Sequence, residues 1–97
     1  MRIIAVRTLR EYRRVHNHAE LPLKAWFQAA KLAEWRTPQD IKDEHANVSI
    51  LRDNRAVFNI LGNNYRLVVK IHYNTQTVFI RFVGTHREYD GIDAESV

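Results

Sequence analysis

The 97-residue chain contains no cysteine, and this absence excludes two kinds of architecture. A disulfide framework and a thiolate metal site are both impossible, and the composition fits a reducing compartment. The sequence does not open with a secretory signal pattern, and no apolar run approaches the roughly 18 residues that a membrane helix needs. We therefore expect a cytoplasmic protein that does not associate with membranes.

Internal repeats, low-complexity tracts and linkers are also absent from the sequence. Hydrophobic residues make up 45% of the chain, which is enough for one small core but not for two at this length. We expect one domain over residues 1–97.

The net charge of +4 is unevenly distributed along the chain. Residues 1–36 and 55–89 carry charges of +5 and +4, whereas residues 37–54 and 90–97 carry −2 and −3. The second basic segment coincides with the predicted strands, so the sheet is expected to be basic. Such a surface could bind a polyanionic or acidic partner. The alternative interpretation is a solvated basic surface without a binding role, which would have the same composition.

Helical patterns dominate the first half of the sequence. A short strand is predicted at residues 2–6, and Thr8 with Glu11 matches a capping box that would start the first helix. A second helix is predicted near Pro22, because apolar residues recur there at helical spacing. Residues 37–44 open with an N-cap threonine, a proline and an acid, which predicts a third, short helix.

From Val48 onward the apolar period changes to two, which is typical of strands. Four strands are predicted, at residues 48–51, 55–61, 65–73 and 77–83, separated by Asn-, Asp- and Gly-containing turns. Such short connections make neighbouring strands antiparallel. The predicted fold class is α+β, a small antiparallel sheet with two or three N-terminal helices packed on one face. The other face is expected to be open and charged.

Three segments of the second half carry a family resemblance: Val57-Phe58-Asn59-Ile60, Gly62-Asn63-Asn64-Tyr65-Arg66-Leu67-Val68-Val69 and Phe82-Val83-Gly84-Thr85-His86-Arg87-Glu88-Tyr89-Asp90. With the order strand, helices and antiparallel sheet, the chain resembles the HigB toxins of the RelE superfamily. The resemblance extends to Arg2–Ala5, Pro22–Trp26 and Thr37-Pro38, where that family has its first strand and helix starts.

What the resemblance implies is a RelE-like fold and a bacterial toxin that cleaves messenger RNA, usually on the ribosome. A cognate HigA-type helix-turn-helix antitoxin would silence it, and DNA would be reached only through that antitoxin. No cofactor or metal is implied. His16 and His18 lack a third ligand, so we expect no zinc site.

Metal-free RNA cleavage requires proton transfer at the 2′-hydroxyl and the leaving 5′-oxygen, and stabilisation of charge on the phosphate. Arg66 matches the arginine of the family's Tyr-Arg-Leu-Val motif, and its planar guanidinium can donate two hydrogen bonds to a phosphate. Tyr89 resembles the family's C-terminal tyrosine. His86 stands where some relatives have arginine, and histidine is the side chain that ordinarily titrates nearest neutral pH. These three residues are the catalytic candidates, and their division into acid and base is left open.

Lys70, Arg81 and Arg87 are candidates for binding neighbouring RNA phosphates. The alternative for the strand cations is a solvated sheet face, and for His86 a helix-cap or surface histidine. Asp90 is interpreted as a turn-capping acid and the acidic segment 90–97 as a frayed end. Two other functions remain open, a non-catalytic RNA- or ribosome-binding module and an inactive toxin-like protein-interaction domain.

Overall fold

The computed structural model describes residues 1–97 and contains a five-stranded sheet with four α-helices. The strands are β1 (Arg2–Ile4), β2 (Ser49–Leu51), β3 (Arg55–Ile60), β4 (Tyr65–His72) and β5 (Thr77–Thr85). The helices are α1 (Val6–Val15), α2 (Glu20–Leu32), α3 (Pro38–Glu44) and α4 (His86–Asp90), with a 3-10 turn at Asn17–Ala19. The predicted α+β class is confirmed, with three helices preceding the run of antiparallel strands.

The strand order across the sheet is β1-β5-β4-β3-β2, so β4 lies at the centre. Strands β2 to β5 pair antiparallel as predicted, whereas β1 runs parallel to β5 at one edge. A parallel pair needs a long crossover, which the three helices and three strands between β1 and β5 provide. No helix is both long and apolar enough to span a bilayer.

Helix α1 begins two residues before the predicted cap. Its N-cap is Ala5, which has a positive φ of 69°, and no side chain caps this end. The prediction that Thr8 caps the helix is wrong, because β1 passes into α1 through a single left-handed residue and Thr8 lies inside the helix. The predicted start of α3 is confirmed, since Thr37 and Asp40 form a complete capping box.

The main core lies between helices α1 to α3 and one face of the sheet. Leu67 and Val69 of β4 are fully buried on this face. The rings of Trp26 and Trp35 pack against Phe58, at centroid distances of 5.4 and 6.0 Å. Leu67 and Val69 therefore follow the apolar period of two from which this strand was predicted.

The opposite sheet face is covered along part of its area by the chain that follows α4. Val57 and Val68 are paired in register and are 3% and 0% exposed, yet they are not part of the helix-side core. Arg55 on the same face donates hydrogen bonds to the main-chain oxygens of Ala94 and Val97. The prediction of a frayed end is therefore wrong, and the expected open face is closed in this region.

A β-bulge interrupts the alternation of β5. Val68 lies opposite Phe82 and Val69 opposite Ile80, so Arg81 is the extra residue between them. The bulge keeps Ile80 on the core face while Phe82 joins Val68 on the other face. Arg81 is exposed beside the chain that crosses this face.

Candidate active site

Arg66 lies near the start of the central strand, on the face opposite the main core. Its register partners are Asn59 in β3 and Gly84 in β5. The guanidinium donates to the main-chain oxygens of Asn63 and Tyr65 at 3.1 and 3.3 Å, and to the Asn63 side-chain oxygen at 3.4 Å. None of the four salt bridges in the molecule involves Arg66. Its positive charge is therefore free to meet an anion.

Tyr89, on helix α4, packs beside this guanidinium. The Cζ atom of Arg66 lies 5.9 Å from the centre of the Tyr89 ring, and both residues are half-buried. A cation over an aromatic ring at this distance contributes about 0.5–1 kcal/mol at exposed sites. The expected proximity of the phenol and the guanidinium is thus found in the structure.

His86 is the first residue of α4 and is oriented by two partners. Its backbone N–H donates to the carbonyl of Asn64 at 3.0 Å, which ties α4 to the turn before β4. Its Nδ1 lies 3.2 Å from Oδ2 of Asp90, so the imidazole pairs with a carboxylate and not with Arg66. The two side chains are 52% and 62% exposed. An ion pair that is so exposed to solvent contributes little to stability.

Asp90 was interpreted from the sequence as a turn-capping acid and as part of a frayed end, yet the structure pairs it with His86. The signal that could have identified it is its spacing of four residues from His86, which brings two side chains together on a helix. Because Nδ1 of His86 faces Asp90, Nε2 remains available to exchange a proton with a ligand.

Helix α4 is held in place by a capping box at its start. The hydroxyl of Thr85 accepts from the N–H of Glu88 at 3.1 Å, and the Glu88 carboxylate accepts from the N–H of Thr85 at 2.7 Å. The hydroxyl of Tyr12 on α1 donates to the same carboxylate at 3.3 Å. The backbone N–H of Thr85 lowers the pKa of Glu88, and the hydroxyls of Thr85 and Tyr12 add to the effect against a partly opposing burial. The site's helix is therefore fastened to both the sheet and α1.

Gly84 allows β5 to reach this cap closely. A Cβ atom at this position would lie 2.5 Å from the ring of Phe82 and 3.1 Å from a carboxylate oxygen of Glu88. Gly84 is also the register partner of Arg66, and the absence of a side chain there lets the Phe82 ring and the Glu88 carboxylate approach the backbone of β5.

The three predicted RNA-binding residues occupy different parts of the molecule. Lys70 is half-buried on the face of Arg66, four residues or roughly 13 Å farther along β4. Arg81 lies at the bulge, where its Nε donates to the Val97 main-chain oxygen at 3.0 Å. Arg87 is exposed on α4. Lys70 thus lies on the sheet face that carries Arg66, Arg81 lies at the bulge of β5, and Arg87 lies on helix α4.

His16 and His18 were considered above as zinc ligands. The ring of His16 stacks on Tyr12 with centroids 4.0 Å apart. No group of three or more His, Cys, Asp or Glu side chains is arranged to hold a metal ion.

A family model described as HigB toxin, RelE-like toxic component of a toxin-antitoxin system, matches residues 19–92. A curated protein of Escherichia coli O6:H1 strain CFT073, named mRNA interferase HigB, is 25% identical over 92 residues, which are 93% of this chain and 89% of that protein. The mRNA interferase toxin HigB of Escherichia coli strain K12 is 26% identical over 92 residues, at 93% and 88% coverage. The mRNA interferase HigB of Shigella flexneri matches to the same extent. Because the family model covers well over half of the sequence, the chain belongs to the HigB family of RelE-like toxins.

Proposed function

We propose that this chain is an endoribonuclease that cleaves messenger RNA on the ribosome, and that it acts in the cytoplasm. Its place in a toxin-antitoxin system follows from the family, and the names of the relatives state activity on mRNA. The observation that carries the proposal for this chain is the unpaired Arg66 guanidinium beside Tyr89 on α4, the helix that also carries the His86–Asp90 pair.

Arg66 would bind the non-bridging oxygens of the scissile phosphate. Negative charge builds on these oxygens as the ribose 2′-oxygen attacks phosphorus, and a fixed cation stabilises that charge more than it stabilises the ground state. Its present acceptors are neutral carbonyl and amide oxygens, so a phosphate would not have to displace a carboxylate. The ring of Tyr89 limits the positions that the guanidinium can take.

His86 would move the proton. As the 2′-oxygen bonds to phosphorus and the bond from phosphorus to the 5′-oxygen breaks, one proton leaves the 2′-hydroxyl and one is taken up by the 5′-oxygen. Nε2 is available for one of these transfers, while Asp90 holds Nδ1 and fixes the tautomer. The products are a 2′,3′-cyclic phosphate and a 5′-hydroxyl.

Lys70, Arg81 and Arg87 would bind adjacent phosphates, which position the strand without reading its sequence. We further propose that the antitoxin is a HigA-type helix-turn-helix protein and that this chain approaches DNA only as part of that complex. An inhibitor could cover the Arg66 face with acidic groups or prevent entry to the ribosome by its bulk.

The test is cleavage of a ribosome-bound message by the wild type and by the Arg66→Ala and His86→Ala variants. Removal of a single group that stabilises the transition state lowers the rate by about 10²–10³-fold, and we expect losses of this size. Arg36→Ala is the matched control, because Arg36 is an exposed arginine outside the site and its loss should leave the rate unchanged.

Two results would contradict the proposal. Cleavage unchanged in both site variants would remove Arg66 and His86 from the reaction. RNA binding that depends on Arg66, with no 2′,3′-cyclic phosphate product from any form of the protein, would identify a non-catalytic RNA-binding module instead.

A further inference from the structure

Helix α2 is apolar on the side that faces solvent as well as on the side that faces the core. Its residues Leu23, Trp26 and Ala30 are buried in the core. Leu21 and Leu32 of the same helix are 75% and 82% exposed. A helix that is apolar around most of its circumference is normally covered on all sides. The solvent side of α2 is therefore a surface on which another molecule could pack.

The two exposed leucines share one face of the helix. Residues at intervals of four, three and four positions lie on the same side of an α-helix, and α2 has such a series, the α2 stripe, in Leu21, Ala25, Gln28 and Leu32. All four residues are exposed. Single apolar residues scattered on a surface need no explanation, whereas apolar residues that recur along three turns form a contact line that a second helix can follow.

A groove of about 430 Å³ lies beside the α2 stripe, between α1 and α2. Its apolar lining includes Val6, Leu9 and Phe27. Ala25 and Gln28 line the groove and also belong to the stripe. The stripe and the groove therefore form one surface, which can take the apolar side of a docked helix.

The rim of the groove is positively charged. Arg10 and Arg13 line it from α1, and Lys24 lines it from α2. Lys24 pairs with Glu20 at 3.1 Å, whereas neither arginine takes part in any of the four salt bridges. Lys31, seven residues after Lys24, lies on the same side of α2 and forms no salt bridge either. This excess of cations favours a partner with acidic groups.

Charge and apolar area together select the occupant. A second copy of this chain, paired symmetrically, would bring its own Arg10 and Arg13 against the same rim, where like charges repel. An RNA backbone would contact the cations but would leave the leucines of the α2 stripe in water. A helix with acidic residues beside an apolar line matches both features of the surface.

We propose that the α2 stripe and its groove bind an acidic amphipathic helix of the antitoxin. The apolar residues of that helix cover Leu21 and Leu32, and its carboxylates pair with Arg10 and Arg13. This inference rests on the antitoxin included in the proposed function, and it adds the surface and the chemistry by which the antitoxin recognises this chain. It does not depend on the cleavage chemistry, because α2 packs on the core side of the sheet and Arg66 lies on the opposite face.

The experiment measures binding of the full chain to the purified antitoxin produced from the gene adjacent to that of this chain. Leu32→Asp should weaken binding about 10- to 100-fold, mainly through faster dissociation, because it removes an apolar contact and places a negative charge opposite the acids of the partner. Val15→Asp is the matched control. Val15 is 76% exposed and ends α1 as Leu32 ends α2, but it does not line the groove, so its replacement should leave binding unchanged.

A second pair of variants tests the charged rim. Arg13→Glu should slow association at low salt more than Arg7→Glu does. Arg7→Glu changes the net charge equally, but Arg7 pairs with Glu11 and does not line the groove. Melting temperatures verify that each variant is folded. Cleavage by free Leu32→Asp protein should equal that of the wild type, while antitoxin at concentrations that inhibit the wild type should no longer inhibit it.

Three results would overturn the proposal. The first is equal antitoxin affinity for the wild type and for folded Leu32→Asp. The second is a self-dimer of the isolated chain that Leu32→Asp dissociates without any change in antitoxin affinity, which would make a second copy the occupant. The third is weaker binding of an uncleavable 2′-O-methyl RNA to Arg13→Glu with antitoxin binding unchanged, which would assign the rim to RNA.

Failure of this proposal and failure of the nuclease assignment give different results. Antitoxin binding that depends on Leu32, in a protein that cuts no message, would remove only the nuclease assignment. Message cleavage that the antitoxin inhibits equally in the wild type and in Leu32→Asp would remove only the docking surface.

Discussion

Helix α4 carries both His86 and Tyr89 but has only five residues. We therefore expect its capping box to determine how much of the time α4 is ordered, and with it the rate of cleavage. Thr85→Ala removes the hydroxyl that accepts from the Glu88 N–H at 3.1 Å. Replacing an N-cap threonine by alanine typically costs about 1 kcal/mol. One turn of helix has no stability of its own, so this loss should lower the ratio of ordered to disordered α4 about fivefold. Cleavage should fall by up to the same factor.

The chain contains its own matched control for this substitution. Thr37 forms an equivalent capping box with Asp40 at the start of α3, where the hydroxyl accepts at 3.3 Å. Thr37→Ala should also lower the free energy of unfolding by about 1 kcal/mol, and such a change lowers the melting temperature of a domain of this size by about 4–8 °C. We expect it to leave cleavage unchanged at temperatures where the protein is folded.

The assay combines thermal unfolding, hydrogen exchange of the α4 amides and cleavage of a ribosome-bound message. We expect faster exchange in α4 and slower cleavage for Thr85→Ala only. Equal loss of cleavage in Thr85→Ala and Thr37→Ala would mean that general stability limits activity. Full activity in Thr85→Ala despite rapid exchange of α4 would refute the claim that an ordered α4 is required.

Three further predictions concern the groups around α4. Asp90→Asn should slow cleavage while the melting temperature stays within experimental error, because the pair with His86 is exposed; an unchanged cleavage rate would exclude Asp90 as the partner that orients the imidazole. Hydrogen bonds lower the folded-state pKa of Glu88, so its contribution to stability is present above its unfolded pKa and is lost as the pH falls through the folded pKa. Glu88→Gln should therefore flatten the acid side of a plot of unfolding free energy against pH, and a curve as steep as that of the wild type would count against this role. Gly84→Ala should destabilise the protein by about 1–3 kcal/mol, since the added methyl displaces the Phe82 ring; a melting temperature equal to that of the wild type would show that the ring moves freely.

The sequence predicted most of the secondary structure because local rules and tertiary packing agree there. The Thr37 cap and the alternation around Leu67 each describe a segment that packs as its pattern requires. Helix α1 departs from its pattern, since the tight passage from β1 at Ala5 sets the helix start before Thr8 can act as a cap. Here the tertiary constraint was stronger than the local signal.

The positions of the candidate site residues, though not their roles, were predicted in part. Arg66 and Tyr89 were expected to meet and do so, because the start of β4 lies beside the end of its antiparallel neighbour β5, which α4 follows. The ion pair of His86 with Asp90 could have been found from helical spacing.

The covered part of the opposite face lay beyond what the sequence could predict. The burial of Arg55 depends on where a segment without regular structure returns to the sheet, and no local pattern records such a contact. The bulge at Arg81 could not be predicted either, because a bulge depends on how two strands pair and not on the sequence of one strand alone.

The central claim is that the guanidinium of Arg66, placed by β4 beside α4, stabilises the phosphate during cleavage. The most direct test is single-turnover cleavage of a ribosome-bound message by the wild type, Arg66→Ala and Arg66→Lys, with the 2′,3′-cyclic product quantified and folding verified by thermal unfolding. We expect a loss of about 10²–10³-fold for alanine and only partial recovery for lysine, which keeps the charge but lacks the planar pair of donors. Wild-type rates for a folded Arg66→Ala protein would contradict the claim.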